Sequence, residues 1–183
     1  MKKVLLFSII FLFFATLSVF AYETVIIKYP AGELWEKAYY KKVGVESILQ
    51  YVPKGQSQKS WNRAIIVHAY EHSNYPIRTF MGTNLEQMTN NNPTVPYQYL
   101  KLTDVDSIAG RCTNDYKNVK GQCEFYRVTR AHGGLISLHY INKDKNDFMA
   151  NYEQWFDIIK KARYYNSYYR NERTFNKSEY FEL

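Results

Sequence analysis

The sequence has little of what enzymes commonly use to build an active site. It has no G-x-S-x-G turn, so the nucleophile elbow of the α/β-hydrolases is missing. It also has no glycine-rich loop with the spacing that cradles phosphates. Cysteine is confined to Cys112 and Cys123. A Cys-His nucleophile would need one of these thiols to stay free. There is no internal repeat and no Pro/Gly/Ser-rich linker, so the chain reads as one domain. Acidic residues are absent from the first 21 positions.

That first stretch has the make-up of a secretory signal peptide. Lys2 and Lys3 give a positive start, Val4 to Phe14 is apolar apart from Ser8, and Val19-Phe20-Ala21 supplies a cleavage site. The apolar run approaches the length of a membrane span, which leaves an anchor as the alternative. Ala21 as a cleavage residue favours removal, and no cysteine follows that would direct lipoprotein processing. Removal of residues 1–21 from the 183 leaves 162, enough for one domain with a substantial core. It also takes two lysines and no acid, so the formal charge falls from +7 to +5. The expected location is therefore the periplasm or the extracellular space. In such a compartment the two remaining cysteines should pair, and the loop they close implies about 3 kcal/mol of stabilisation. A zinc site at the pair would need two further ligands at suitable spacing.

What is abundant is tyrosine, 18 residues in all. Tyrosine packs its ring and leaves its hydroxyl for water or a partner, so the excess fits a binding face. It fits equally an AT-rich coding sequence, because lysine, asparagine, isoleucine and phenylalanine share that codon bias.

Periodicity points to an α+β fold. Val25-Ile26-Ile27 reads as a short strand. Leu34 to Val43 fits a helix capped by Gly44 or an aromatic strand. Val45 to Val52 alternates as a strand, with a turn at Pro53 and Gly55. Trp61 to Tyr70 is the most β-prone run; apolar on both faces, it should be central and covered on both sides. Tyr75-Pro76 opens a helix whose stripe is Ile77, Phe80, Met81, Leu85 and Met88. Gln98 to Thr103 is a further strand, and Asp104 to Gln122 reads as a polar loop carrying Cys112. Cys123 to Ala131 and Leu135 to Asn142 form a hairpin, with Gly133 and Gly134 free to take positive φ. Asn146 should cap a helix to about Arg163, burying Phe148, Tyr152, Trp155, Phe156 and Ile159. Trp61 and Trp155 are the aromatic anchors expected in the core.

The sharpest chemical pattern is His68-Ala69-Tyr70-Glu71-His72, an H-x-x-E-H. On a helix it would place two zinc ligands one turn apart with Glu71 as general base. Here it continues a β run and ends at Ser73-Asn74-Tyr75-Pro76. On a strand His68 and His72 share a face and Glu71 points away, which separates base from metal. Asp104 and Asp106 could serve as an acid/base pair, but any loop offers such pairs. His132 fits a turn residue, and His139 shares a strand face with Ser137 and Ile141.

The other chemical feature is basic and aromatic. Lys160, Lys161 and Arg163, followed by Tyr164, Tyr165, Tyr168, Tyr169, Arg170 and Arg173, could hold an anionic polymer by charge and ring stacking. A solvated helix end with a tyrosine-rich extension reads the same way. After export, a lipopolysaccharide, an anionic glycan or a host surface fits better than nucleic acid.

The turn Pro53-Lys54-Gly55-Gln56-Ser57 followed by Trp61 to Val67 resembles a group of small exported proteobacterial proteins. Intracellular pathogens of the Legionella type export chains of this size and composition. The shared signature is P-x-G-Q-[ST], then Trp and a β-rich run, with a later cysteine pair and a C-terminal strand-then-helix order. It covers about 20 residues. The resemblance implies export and an α+β fold, and carries no activity, cofactor or site residue with it.

The expectation is a signal peptide over 1–21, one α+β domain over 22–163 with a largely antiparallel sheet and two main helices, and a basic tyrosine-rich extension over 164–183. Its function should be non-catalytic binding without a cofactor. The alternative is a small metal-dependent hydrolase using His68, Glu71 and His72.

Overall fold

The computed structural model describes residues 23–91, 97–117, 119–131 and 133–166. The expected signal peptide, His132, Tyr168, Tyr169, Arg170 and Arg173 lie outside them.

Seven strands form one antiparallel sheet: β2 (Trp35–Val43), β3 (Glu46–Pro53), β4 (Arg63–Glu71), β5 (Tyr97–Lys101), β6 (Asp106–Cys112), β7 (Cys123–Ala131) and β8 (Gly134–Asn142). Their spatial order is β2-β3-β4-β8-β7-β6-β5, so β8 is the middle strand. A separate ribbon joins β1 (Glu23–Ile26) to β9 (Arg163–Asn166), with Ile26 opposite Arg163. Helix α1 (Ile77–Asn91) packs on one face of the sheet, while α2 (Lys145–Ala150) and α3 (Tyr152–Lys161) pack on the other. The fold is α+β, and among the described residues no helix is long and apolar enough to cross a membrane.

Strand alternation sorts the residues into two cores. Ile65 and Val67 of β4, Phe125 of β7 and Leu138 and Tyr140 of β8 face α2 and α3, where Phe148, Trp155 and Ile159 are buried with Val25 and Ile27. Tyr140 stacks on Trp155 with ring centroids 3.8 Å apart, and Trp35 meets Trp155 edge to face at 5.6 Å. On the opposite face Ile77, Met81 and Leu85 of α1 cover Ala109, Tyr126, Val128 and Leu135. The apolar stripes expected on both helices are thus the ones that pack.

The hairpin of β7 and β8 pairs in register from Cys123↔Asn142 to Ala131↔Gly134. Gly134 is required by close approach rather than by a left-handed turn, because a Cβ there would lie 2.0 Å from the Tyr70 carbonyl oxygen. The P-x-G-Q-S turn also has a structural explanation. Gly55 takes a φ of 85°, and the Gln56 side chain clamps Asn62: Gln56 Nε2 donates to Asn62 Oδ1 at 2.6 Å, and Asn62 N–H to Gln56 Oε1 at 2.9 Å.

Several expectations are corrected. The ambiguous Leu34–Val43 segment is strand β2. The supposed polar loop after Asp104 contains strand β6, with Ser107, Ile108 and Ala109 buried. Its two charged residues misled because each is neutralised on the neighbouring strand: Arg111 by Glu124 and Asp106 by Arg127, both at 2.7 Å. Cys112 lies opposite Cys123 in this β6–β7 pair, and the two form a disulfide. The C-terminal helix is capped by Asp144, not Asn146, through Asp144 Oδ1 accepting the N–H groups of Asn146 and Asp147. It breaks at Asn151, whose side-chain amide donates to the Asp147 carbonyl. Trp61 precedes β4 instead of beginning it. It is half-buried beneath the Lys143 ammonium, 3.5 Å from the ring centroid, and does not enter the core. β4 is internal but not covered on both sides. Ile66, His68 and Tyr70 stay partly exposed, because α1 lies over β6 and β7 and reaches only Tyr70.

Candidate binding site

The antiparallel pairing of β1 with β9 brings together two stretches that are about as far apart as the described chain allows. Beyond Ile26 the chain runs as Lys28-Tyr29-Pro30 along the outer surface of α3. A cleft of about 490 Å³ opens between them, lined by Lys28, Tyr29, Gln154, Asp157, Lys161 and Arg163 among others. Three cations therefore surround one carboxylate. Lys161 pairs with Asp157 at 2.7 Å, but both are well exposed, so water screens the pair and it holds its partners weakly. Tyr29 adds an aromatic wall.

Of the residues expected from sequence, Lys161 and Arg163 reach this cleft. Lys160 does not line it; its ammonium lies over the Phe156 ring, 5.9 Å from the centroid. Tyr164 is partly buried and packs against the core instead of lining the cleft. Its ring packs under the Arg127 guanidinium at 5.3 Å, burial pushes its phenol well up, and among the described residues its hydroxyl has no hydrogen-bond partner. Tyr165 pairs through its backbone with Thr24. Lys28, Tyr29 and Gln154 are cleft residues that sequence reasoning missed. Their only signal was a basic-aromatic pair after a short strand, and nothing local says that this strand meets residue 163.

The H-x-x-E-H segment is strand, not helix. His68 sits mid-strand, with Nδ1 3.0 Å from the Tyr70 hydroxyl. His72 lies just past β4 with a φ of 61°, its N–H donating to the Gly133 carbonyl at 2.5 Å. Glu71 takes the Lys42 ammonium at 2.5 Å. No three His, Cys, Asp or Glu side chains converge as a metal centre among the described residues.

His68 belongs instead to a polar row that crosses the sheet. Ser137 lies directly across the strand pair from His68, and its Oγ is 3.3 Å from His139 Nε2. His139 stacks on Tyr126 at 4.4 Å and lies 5.9 Å from the His68 ring. Ser137 is buried, so it presents no hydroxyl to a substrate. Burial lowers both histidines, His139 to about 3, with His68 and Arg111 adding to the effect on His139. A histidine lowered on folding binds fewer protons folded than unfolded, so its stabilisation is present above pH 6.5 and fades as pH falls below that value. We expect acidification from about pH 7 to about pH 5 to cost roughly 1–2 kcal/mol through His139. Urea unfolding should show a smaller loss in His139→Gln; an equal loss in both proteins would place the acid sensitivity elsewhere.

Comparison with protein-family models, curated proteins and solved structures found no match.

Proposed function

We propose that this chain is an exported, non-catalytic binding module. Its cleft between β1 and α3 would hold an anionic glycan, in the form of a carboxylated or sulfated polysaccharide or the headgroup of a lipopolysaccharide. The observation that carries this reading is the convergence of Lys28, Lys161 and Arg163 with Tyr29 on one cleft. Cations there meet carboxylate, sulfate or phosphate, and the tyrosine ring offers a face on which a sugar can stack. Export is supported by the signal-like first 21 residues and fits the Cys112–Cys123 disulfide. The net charge of +5 left after residues 1–21 would favour encounter with an anionic surface.

The test is a charge reversal, Lys28→Glu with Lys161→Glu and Arg163→Glu, assayed against immobilised heparin. Affinity should fall roughly tenfold or more, since several charge contacts are lost together. The melting temperature should hardly move, because exposed charges contribute little to stability. Unchanged affinity in the triple variant would remove the cleft from consideration.

A further inference from the structure

On the other face of the sheet a pocket of about 560 Å³ lies between α1 and the ends of β3 and β4. Its size falls in the ordinary range for small-molecule sites. The walls are aromatic. Tyr70 and Phe80 meet edge to face at 5.0 Å, and Tyr75 stands exposed beside them. A second pocket, of about 220 Å³, shares Glu46 and Tyr70 with the first, so Glu46 stands at the boundary of both.

The charges here are opposite to those of the basic cleft. Two carboxylates, Glu46 and Glu71, line the larger pocket, and none of its described lining residues is a lysine or arginine. Glu71 is already engaged by Lys42. Glu46 lies directly across the strand pair from Tyr70 and has no side-chain hydrogen bond or ion pair among the described residues. Its field nevertheless reaches the groups around it, favouring protonation of both His68 and Tyr70. Aromatic faces attract cations through the ring quadrupole, and an unpaired carboxylate attracts them directly. Glu71 is balanced by Lys42, and Arg130 is held on the Ser73 and Tyr75 carbonyls at the rim, so the charge left for an incoming ligand in this pocket is the Glu46 carboxylate.

We infer that this pocket binds a small organic cation, an amine carrying an aromatic or branched apolar body. The body lies against Tyr70 and Phe80, and the ammonium sits between Glu46 and the Tyr75 ring. The site is independent of the basic cleft and is tested separately from it.

The probe is 2-phenylethylammonium, titrated into ¹⁵N-labelled protein, with 3-phenylpropionate as the anionic isostere. The ammonium should shift the amide signals of Ser73, Thr83, Asn84 and Gln87, and the carboxylate should not. Glu46 is exposed, so Glu46→Gln should fold normally, as melting would verify, and should bind the ammonium roughly tenfold more weakly. Equal binding by Glu46→Gln, equal binding of the carboxylate, shifts that map elsewhere, or no shifts at millimolar probe would each overturn the proposal.

Discussion

Truncating Trp155 to alanine should lower stability by about 3–5 kcal/mol, the range for removing a buried tryptophan from a packed core. The expectation rests on what the indole touches. Trp155 is 1% exposed and is the largest of the fully buried side chains. It stacks flat on Tyr140 of the middle strand and takes the edge of Trp35 from β2. One side chain thus joins α3 to both the middle and the rim of the sheet, and no small rearrangement refills the space it would leave. For a domain of this size the melting temperature should fall by roughly 8–15 °C. Trp61→Ala is the internal control. That ring is half-buried, with an ammonium over one face, so its loss should cost distinctly less. Equal losses at the two positions would show that the aromatic core is centred somewhere other than Trp155.

Arg127→Leu should be of comparable severity, for an electrostatic reason. The guanidinium is nearly buried, and two of its three nitrogens are bonded to the protein. Nε holds Asp106 at 2.7 Å, and Nη1 donates to the carbonyls of Ile159, Lys160 and Ala162 at 2.7, 3.1 and 2.9 Å. Those carbonyls belong to the end of α3, where helix hydrogen bonding runs out and the helix dipole is negative. Arg127 therefore fastens the end of α3 to the sheet, just before β9 begins. Leucine would leave Asp106 with only Lys101 and strip the carbonyls of their donor. Removing one partner of such a pair costs about 3–5 kcal/mol. Lysine would keep the charge but not the forked geometry, so Arg127→Lys should fall between.

Asp106 supplies a second readout. Burial alone would raise its carboxyl, but hydrogen bonds and charge from Arg127 and Lys101 outweigh burial and hold it below the ordinary aspartate value. A depressed carboxyl stabilises the fold above its unfolded pKa, and that stabilisation is lost as pH falls through the folded value. In Arg127→Leu this acid-labile part should shrink, because one of its two causes is gone. An Arg127→Leu protein that unfolds in urea like the parent would show that the link between sheet and helix carries no weight.

The link matters for the site. Arg127 fixes where α3 ends and β9 starts, and so where Lys161 and Arg163 stand opposite Lys28 and Tyr29. The cleft is the joint product of one buried arginine and one long-range strand pair.

That dependence explains what the sequence discloses and what it hides. Local patterns sufficed for the β7–β8 hairpin, for β3, and for the stripes of α1 and the C-terminal helix, because each pattern is completed within a dozen residues. β6 was hidden because its charges are cancelled by residues on β7, a cancellation that only the register reveals. Trp61 looked like a core residue by type, yet Lys143 from the far end of β8 occupies its face. Half of the basic cleft was legible in Lys161 and Arg163. The other half, Lys28 and Tyr29, enters through the β1–β9 ribbon, which spans nearly the whole described chain and leaves no periodicity. Tyr164 is the reverse case. Adjacency in sequence groups it with a surface cluster, but strand alternation in β9 turns it toward Arg127.

The most direct measurement of the proposed function is the salt dependence of heparin binding by the native protein beside the Lys28/Lys161/Arg163 charge-reversal variant. If three cations release counterions on binding, log affinity should fall linearly with log salt concentration, with a slope of about −2 to −3. The variant should bind weakly with a nearly flat dependence. Native affinity that is the same at low and high salt, or an equal slope in the variant, would contradict the account.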